Sequence, residues 1–389
     1  MSVNNMQIED VYQIINSIHT QATGKTAIAP TNTSEFVSMA TTTLAAGTDA
    51  VYNAMMQVIT RTIFSVRPYE RKFSGLVMSN DRWGAITRKI SFADKPLQDA
   101  EAVFHPIDGQ TVDQYKINKA DVLEMRYYGS AVYQDSYTVF RDQLTEAFNS
   151  PEQLGSFISS MLTHMSNKWE QYLENLNRAT LANFIGAKND LSNGVVHLLT
   201  EYNTQTGLSL TLADIWQEPN MAHFFRWMRA RINTLGRRMA ERSEEYQVKI
   251  TGKDLNRHTP YSDQRIYLHS DILDQIDTMV NTTTFHDEPL AYADVEGVSY
   301  WQAIDNPLQI QVTPSVIDAS GVVSAGNAQT MSNVVGVMFD RDAIGTNVYL
   351  YEAANTPYNA RGRYYNTWLT ARVRYMNDLT EKGIVLMLD

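Results

Sequence analysis

The spacing of apolar residues changes along the chain, and each change predicts a different element. The stretch IEDVYQIINSIH, from Ile8 to His19, repeats its apolar residues at helical spacing. A linker rich in Thr, Pro and Asn follows at 24–35 (GKTAIAPTNTSE). A second helix is expected to start near Ser34, whose hydroxyl can cap it, and to run towards Val66 with a weak point at Gly47. Pro68 cannot sit in a helix interior and helps to stop it. No strand pattern has appeared by this point, so residues 1–75 read as a helical arm rather than a core.

The period then shortens. Residues 85–92 (AITRKISF) and 111–128 (TVDQYKINKADVLEMRYY) read as strands of a long hairpin at 76–128, separated by the irregular DKPLQDAEAVFHPIDG. Neither strand keeps a clean apolar face, and charged residues are dense, so the hairpin is expected to project and to pack on something else. Residues 151–186 form the clearest helix, with Ser150 as cap and Pro151 in its first turn. Its stripe is Ile158, Met161, Leu162, Met165, Trp169, Tyr172, Leu173 and Leu176, and Gly186 is the expected stop. A further helix at about 219–243 has Phe224, Trp227, Met228, Ile232 and Leu235 on one side and Arg226, Arg229, Arg237, Arg238 and Arg242 on the other. Mixed short elements lead to about 333, and the C-terminal part (VVGVMFDRD, TNVYLYEAA, GIVLML) is strand after strand.

Residues 361–376 (RGRYYNTWLTARVRYM) admit two readings. Four arginines interleaved with Tyr364, Tyr365, Trp368 and Tyr375 would suit a single-strand nucleic-acid platform. Written as a strand, Tyr365, Thr367, Leu369, Ala371, Val373 and Tyr375 share one mostly apolar face, and Tyr364, Asn366, Trp368, Thr370, Arg372 and Arg374 a mostly polar one. That alternation divides the rings between faces and favours a strand with one side on a core.

Composition narrows the chemistry. With 43 acidic and 32 basic residues the net charge is −11, which repels a polyanion. The absence of cysteine excludes disulfides and thiolate chemistry. No apolar run is long enough to span a bilayer, and MSVNNMQIEDVYQII lacks the basic region and cleavage site of a secretory signal, so a cytoplasm-like compartment, or a particle assembled there, is expected. The letters GKT at 24–26 lack the upstream glycine of a phosphate loop, since position 19 is His19. His286, Asp287 and Glu288 read as a solvated acidic turn, and no catalytic, cofactor or metal frame is present. Charge is uneven: residues 226–257 hold nine basic and four acidic side chains (+5), and 263–305 hold nine acidic and one basic (−8). The two segments can pair within one subunit or between like subunits packed head to tail.

The order FDRDAIG, then RGRYYNTWLTARVRYMNDLTEKGIVLML, resembles the closing segment of tailed-bacteriophage major capsid proteins of the Hong Kong 97-type fold, and the order of parts agrees over nearly the whole chain. The resemblance implies an α+β fold: N-terminal arm (1–75), extended β-hairpin loop (76–128), peripheral domain with a long spine helix (129–195), axial domain (196–335) and peripheral return strands (336–389). It implies no enzyme and no cofactor, but self-assembly into pentamers and hexamers of an icosahedral head around double-stranded DNA, in a virion put together in the host cytoplasm. The short arm implies a separate scaffolding protein, without proteolytic maturation of this subunit, beside portal and decoration partners. An encapsulin-type cellular shell is the alternative; an unrecognised hydrolase or nucleic-acid-binding protein stands behind it. The assembly contacts are expected at Arg88, Lys89, Lys95, Asp99, Glu101, Lys116 and Lys119 of the hairpin, and at Arg237, Arg238, Asp271 and Asp274 of the two charged segments.

Overall fold

In a computed structural model of the chain, the described residues are 8–47, 49–55, 73, 76, 86–95, 97, 100–104, 107–115, 117, 119–128, 131–281 and 295–389. They divide between two compact units. One comprises Met1–Ser74, Ser130–Leu176 and Asn347–Arg374; the other comprises Gly75–Gly129, Asn177–Thr346 and Tyr375–Asp389. The five segments expected from the sequence do not coincide with these units, because 336–389 contributes strands to both.

In the first unit the N-terminal helices each bury apolar residues in the core. Helix α1 (Ile8–Thr23) ends at Gly24, whose left-handed φ of +69° lets its amide reach the Thr20 carbonyl at 2.9 Å. Helix α2 (Thr33–Ala45) is capped by Asn32 and not by Ser34: Asn32 Oδ1 accepts from the Glu35 amide at 2.9 Å. The expected continuous helix breaks at Gly47, and α3 follows, described at 49–55. The expected stop at Val66–Pro68 lies outside the described residues. Val11, Ile15 and Ile18 repeat at three-four spacing on α1 and are buried with Phe36, Val51, Tyr52 and Met55 against Leu154, Ile158 and Met161 of α6 (Pro151–Asp190). These helices bury one apolar face against the apolar stripe of α6, and many of their other residues stay exposed.

The three-stranded sheet of this unit runs in the order β12 (Ile344–Asn355), β13 (Tyr364–Asn377), β3 (Ala131–Phe140), with β13 antiparallel to β3 from Tyr364↔Phe140 to Val373↔Ala131. The strand reading of 361–376 is the observed one: Tyr365, Thr367, Leu369, Ala371 and Val373 are buried. The alternation then changes phase where β3 ends, leaving Arg374 buried and Tyr375 exposed, the reverse of the expected faces. Tyr52 stacks on Tyr365 with ring centroids 4.2 Å apart, and the Tyr365 hydroxyl donates to Asp49 Oδ1 at 2.7 Å. Burial pushes the Tyr52 hydroxyl up to about 12.

Helix α6 starts as expected, with Gln153 N–H donating to Ser150 Oγ, but it passes straight through Gly186. That glycine is a close approach and not a stop: a Cβ there would lie 2.3 Å from Val312 Cγ1. Along the stripe Ile158, Met161, Met165 and Leu173 are buried, whereas Trp169 is only half-buried and Tyr172 exposed. Trp169 is therefore not the core anchor that spacing alone suggests.

The second unit is built on a five-stranded sheet in the order β4 (Val195–His197), β14 (Gly383–Met387), β11 (Val334–Asp340), β5 (Gln264–His269), β6 (Val295–Val298). Every residue of β11 and β14 is buried, which is why they read as unbroken apolar runs. Ile266, Leu268, Met338, Ile384 and Leu386 pack with α7 (Leu198–Thr206), α8 (Asn220–Ala240) and α9 (Ser270–Asn281). On the other face Phe184 of α6 meets Phe339, with centroids 6.0 Å apart.

Among the described residues of this unit, Lys188 and Lys382 are wholly buried. Lys382 Nζ donates to the Glu241 carbonyl at 2.7 Å and to Ser243 Oγ at 2.8 Å, a cation at the C-terminal end of α8. Lys188 Nζ donates to the Tyr246 carbonyl at 2.7 Å and Asn193 Oδ1 at 3.2 Å, and burial pushes its pKa down to about 7.

Ile158→Ala is expected to cost about 2–5 kcal/mol, read as lowered thermal stability of unassembled subunits, while Trp169→Ala costs less; equal losses would contradict the burial order. For Lys188 the folded pKa lies below the unfolded value of 10.5, so above about 7 the unfolded chain holds the extra proton. Stability is then expected to rise with pH from about 7 by up to roughly 1.4 kcal/mol per unit. Urea unfolding across that range should lose this slope in Lys188→Met; an unchanged slope would assign it elsewhere.

Candidate assembly site

Strands β1 (Ile86–Phe92) and β2 (Val122–Tyr128) pair antiparallel from Ile86↔Tyr128 to Phe92↔Val122. The second strand is shorter than the expected 111–128: the seven paired residues reach only roughly 23 Å at about 3.3 Å each. Its first part forms turns instead, and Asp113 Oδ1 accepts the Tyr115 amide at 2.9 Å, which draws that backbone away from a ladder. Between the strands lies the short helix α4 (Glu101–Phe104).

A hairpin this short needs a mount, and buried charge supplies it. Lys89 Nζ sits 2.8 Å from Asp378 Oδ2 and 2.6 Å from Glu381 Oε1. Arg257 lies 3.2 Å from the same Glu381 oxygen and donates to Ser91 Oγ at 2.9 Å. Burial works against the Lys89 charge, but the two carboxylates outweigh it and hold its pKa above the ordinary lysine value. For Asp378 burial is likewise overcome, by Lys89 and by the Thr380 hydroxyl, and its carboxyl stands below the usual range. For Glu381 burial prevails and its carboxyl stands above that range. A second tie lies at the strand end: Asp94 N–H donates to the Asp254 carbonyl at 2.7 Å, and its carboxylate takes the Asn256 amide and the Arg242 guanidinium.

Beyond the mount, large apolar side chains stand uncovered among the described residues of the loop. Leu97, Phe104, Ile107, Tyr115 and Ile117 range from 72% exposure at Ile107 to complete exposure at Leu97. Beneath β1 opens a cleft of about 560 Å³ lined by Arg242, Arg257, His258, Asp263, Asp340 and Arg341 among others, too mixed in sign to select an anion or a cation. Among the described residues no group of three His, Cys, Asp or Glu could hold a metal, and no helix is long and apolar enough to cross a membrane.

The expected contact residues are distributed unequally. Arg88 pairs with Glu124 at 2.7 Å, and Arg126 shares that carboxylate at 2.6 Å, holding it down at about 2. Lys89 is engaged inside its own chain, in the mount. Lys95 lies 3.5 Å from Asp121 and donates to the Lys119 carbonyl; Glu101 and Lys119 are exposed. Asp99 and Lys116 lie outside the described residues, as do His286, Asp287 and Glu288. Arg237 and Arg238 are exposed in the last turn of α8, and Asp271 and Asp274 are exposed on α9. Asp378, Glu381, Arg257 and Asp94 were missed; the signal was the acidic NDLTEK turn between two apolar strands.

A family model of Phi29-like phage major capsid proteins matches residues 13–387. The chain belongs to this family. The capsid protein is a virion component, and the expected tailed-phage family is the one found, so the cellular-shell alternative falls away. Its fold is shared with a chain of the capsid structure of Staphylococcus phage Andhra, at 11% identity and TM-score 0.52, covering 82% of the capsid protein and 84% of that chain. It is also similar to a chain in the structure of head fiber and inner core protein gp22 of native bacteriophage P68, at 11% identity and TM-score 0.50, over 82% and 85% of the two chains. No curated protein matches its sequence.

Removing one partner of the mount should release the hairpin. Lys89→Met leaves the buried Asp378 without its cation and Glu381 with Arg257 alone, and is expected to cost about 3–5 kcal/mol. Hydrogen exchange should speed up in 86–92 and 122–128 before the five-stranded sheet is affected; uniform loss of protection would mean the clip holds the whole unit. Because the Asp378 carboxyl is depressed, its contribution is present above the ordinary carboxylate value and is lost only as pH falls through the depressed one.

Proposed function

We propose that the capsid protein assembles into pentamers and hexamers that close into an icosahedral head enclosing double-stranded DNA. The observation that carries this reading is the set of uncovered apolar side chains on the loop beyond a charged mount. Five large side chains at 97–117 have no core in their own chain, and exposed apolar surface of this kind marks a surface meant for a partner. A neighbouring copy is the partner, and the loop overlies it. The two units then serve as shell wall: the first as peripheral domain, the second carrying the axial domain and the extended loop.

The role is structural and not enzymatic. The net charge of −11 favours weak, non-specific contact with packaged DNA, so that the lumen does not grip the genome during packaging and ejection. A separate scaffolding protein, a portal and decoration proteins complete the assembly in the host cytoplasm.

Replacing 96–109 by a short Gly-Ser turn tests the loop. The monomer's circular dichroism and melting are expected to stay nearly intact, since the mount is outside the replaced segment, and closed particles are expected to disappear or become fragile in electron micrographs. Robust wild-type-like shells from this variant would sink the reading.

A further inference from the structure

We infer that the arginine face of α8 docks on the aspartate face of α9 of a neighbouring copy, as a head-to-tail contact repeated around each ring of subunits. This deepens the shell reading above and rests on it.

The two helices are charged with opposite sign and almost without mixing. Helix α8 carries Arg226, Arg229, Arg231, Arg237 and Arg238 and no acidic residue. Helix α9 carries Asp271, Asp274 and Asp277 and no basic residue. Arg231 is engaged at home, held by both oxygens of Glu201 at 2.6 and 2.9 Å. Arg226, Arg237 and Arg238 are exposed, as are Asp271 and Asp274, the Asp271 side chain at 79%.

Opposite charges on neighbouring helices would ordinarily neutralise each other inside the subunit. They do not. Both helices pack on one core, through Phe224, Met228, Ile232 and Leu235 of α8 and Ile272 and Ile276 of α9. Yet among the described residues no ion pair joins Arg226, Arg237 or Arg238 to Asp271 or Asp274. The inward-facing sides of the helices are apolar, and Arg226, Arg237, Arg238, Asp271 and Asp274 are exposed, with Asp271 Oδ2 3.7 Å from His269 Nδ1.

Complementary patches at different places on one molecule can meet across a two-fold axis, each pairing with the other twice, or head to tail; the ring of subunits in the shell reading selects the second. A head-to-tail contact closes into a ring when its rotation allows. At physiological ionic strength charges more than about 8 Å apart are largely screened, so the pairing acts when docking brings the faces together, setting register and encounter rate. Packaged DNA is a weaker occupant of α8, because the aspartates of α9 belong to the same unit and repel phosphate.

The test uses the full-length protein in three forms: Arg237→Glu with Arg238→Glu, Asp271→Lys with Asp274→Lys, and all four together. Each pair alone is expected to lower the yield of capsomers and closed particles at least tenfold, by sedimentation and electron microscopy, with the monomer's circular dichroism and melting unchanged. The fourfold variant is expected to recover at least a third of the wild-type yield. If a charged pair does not fold, Arg237→Gln with Arg238→Gln is expected to show a smaller loss in the same direction. Undiminished assembly of the reversed forms, or a folded fourfold variant that fails to recover, overturns the inference. Normal particles that package less DNA would assign the arginines to the genome instead. Wild-type protein that forms no closed particles would be a failure of the shell reading, distinguishable from all of these.

Discussion

The turn Asp378–Lys382 is a stretch of charge buried between strands, and the placement of its partners organises much of the second unit. Asp378, Thr380, Glu381 and Lys382 are all buried between β13 and β14. A buried charge is tolerable only when paired and hydrogen-bonded, and removing one partner costs far more than an exposed pair ever contributes. So each of these groups dictates where another part of the chain must lie. Asp378 and Glu381 require Lys89 and so fix the hairpin; Glu381 also takes Arg257. Lys382 requires the last carbonyls of α8 and so fixes the end of that helix.

This arrangement separates two demands on a shell subunit. The hairpin must be held at a defined place, which buried ion pairs do with geometric specificity. On the proposed assembly its tip stays available to a neighbour, and large apolar side chains at 97–117 are exposed there. Surface charges elsewhere on the hairpin, such as Arg88 and Arg126 on Glu124, contribute little to stability because water screens them.

What could be read from the chain and what could not follows from the range of the forces involved. Periodicity located α1, α6, α8 and the C-terminal strands, because a helix or strand that buries one side must repeat apolar residues at its own period. The FDRDAIG and RGRYYNTWLT segments pointed to the phage capsid family that the family match shows. Local chemistry placed the Ser150 cap. Those features are set by residues within a few positions of one another.

The remainder depended on residues far apart in sequence. Gly186 looks like a helix stop until Val312 is found against it, and Trp169 looks like core until it is found only half-buried. The arm helices look peripheral until α1 meets the stripe of α6. Lys89 looks like one more hairpin charge until Asp378, 289 residues away, is found 2.8 Å from it. The sequence by itself determined which segments are helix or strand, which faces are apolar, and the family. Only the tertiary structure decided which charges are buried and paired, because desolvation and Coulomb terms depend on distance in space, and that distance is set by packing across the whole chain.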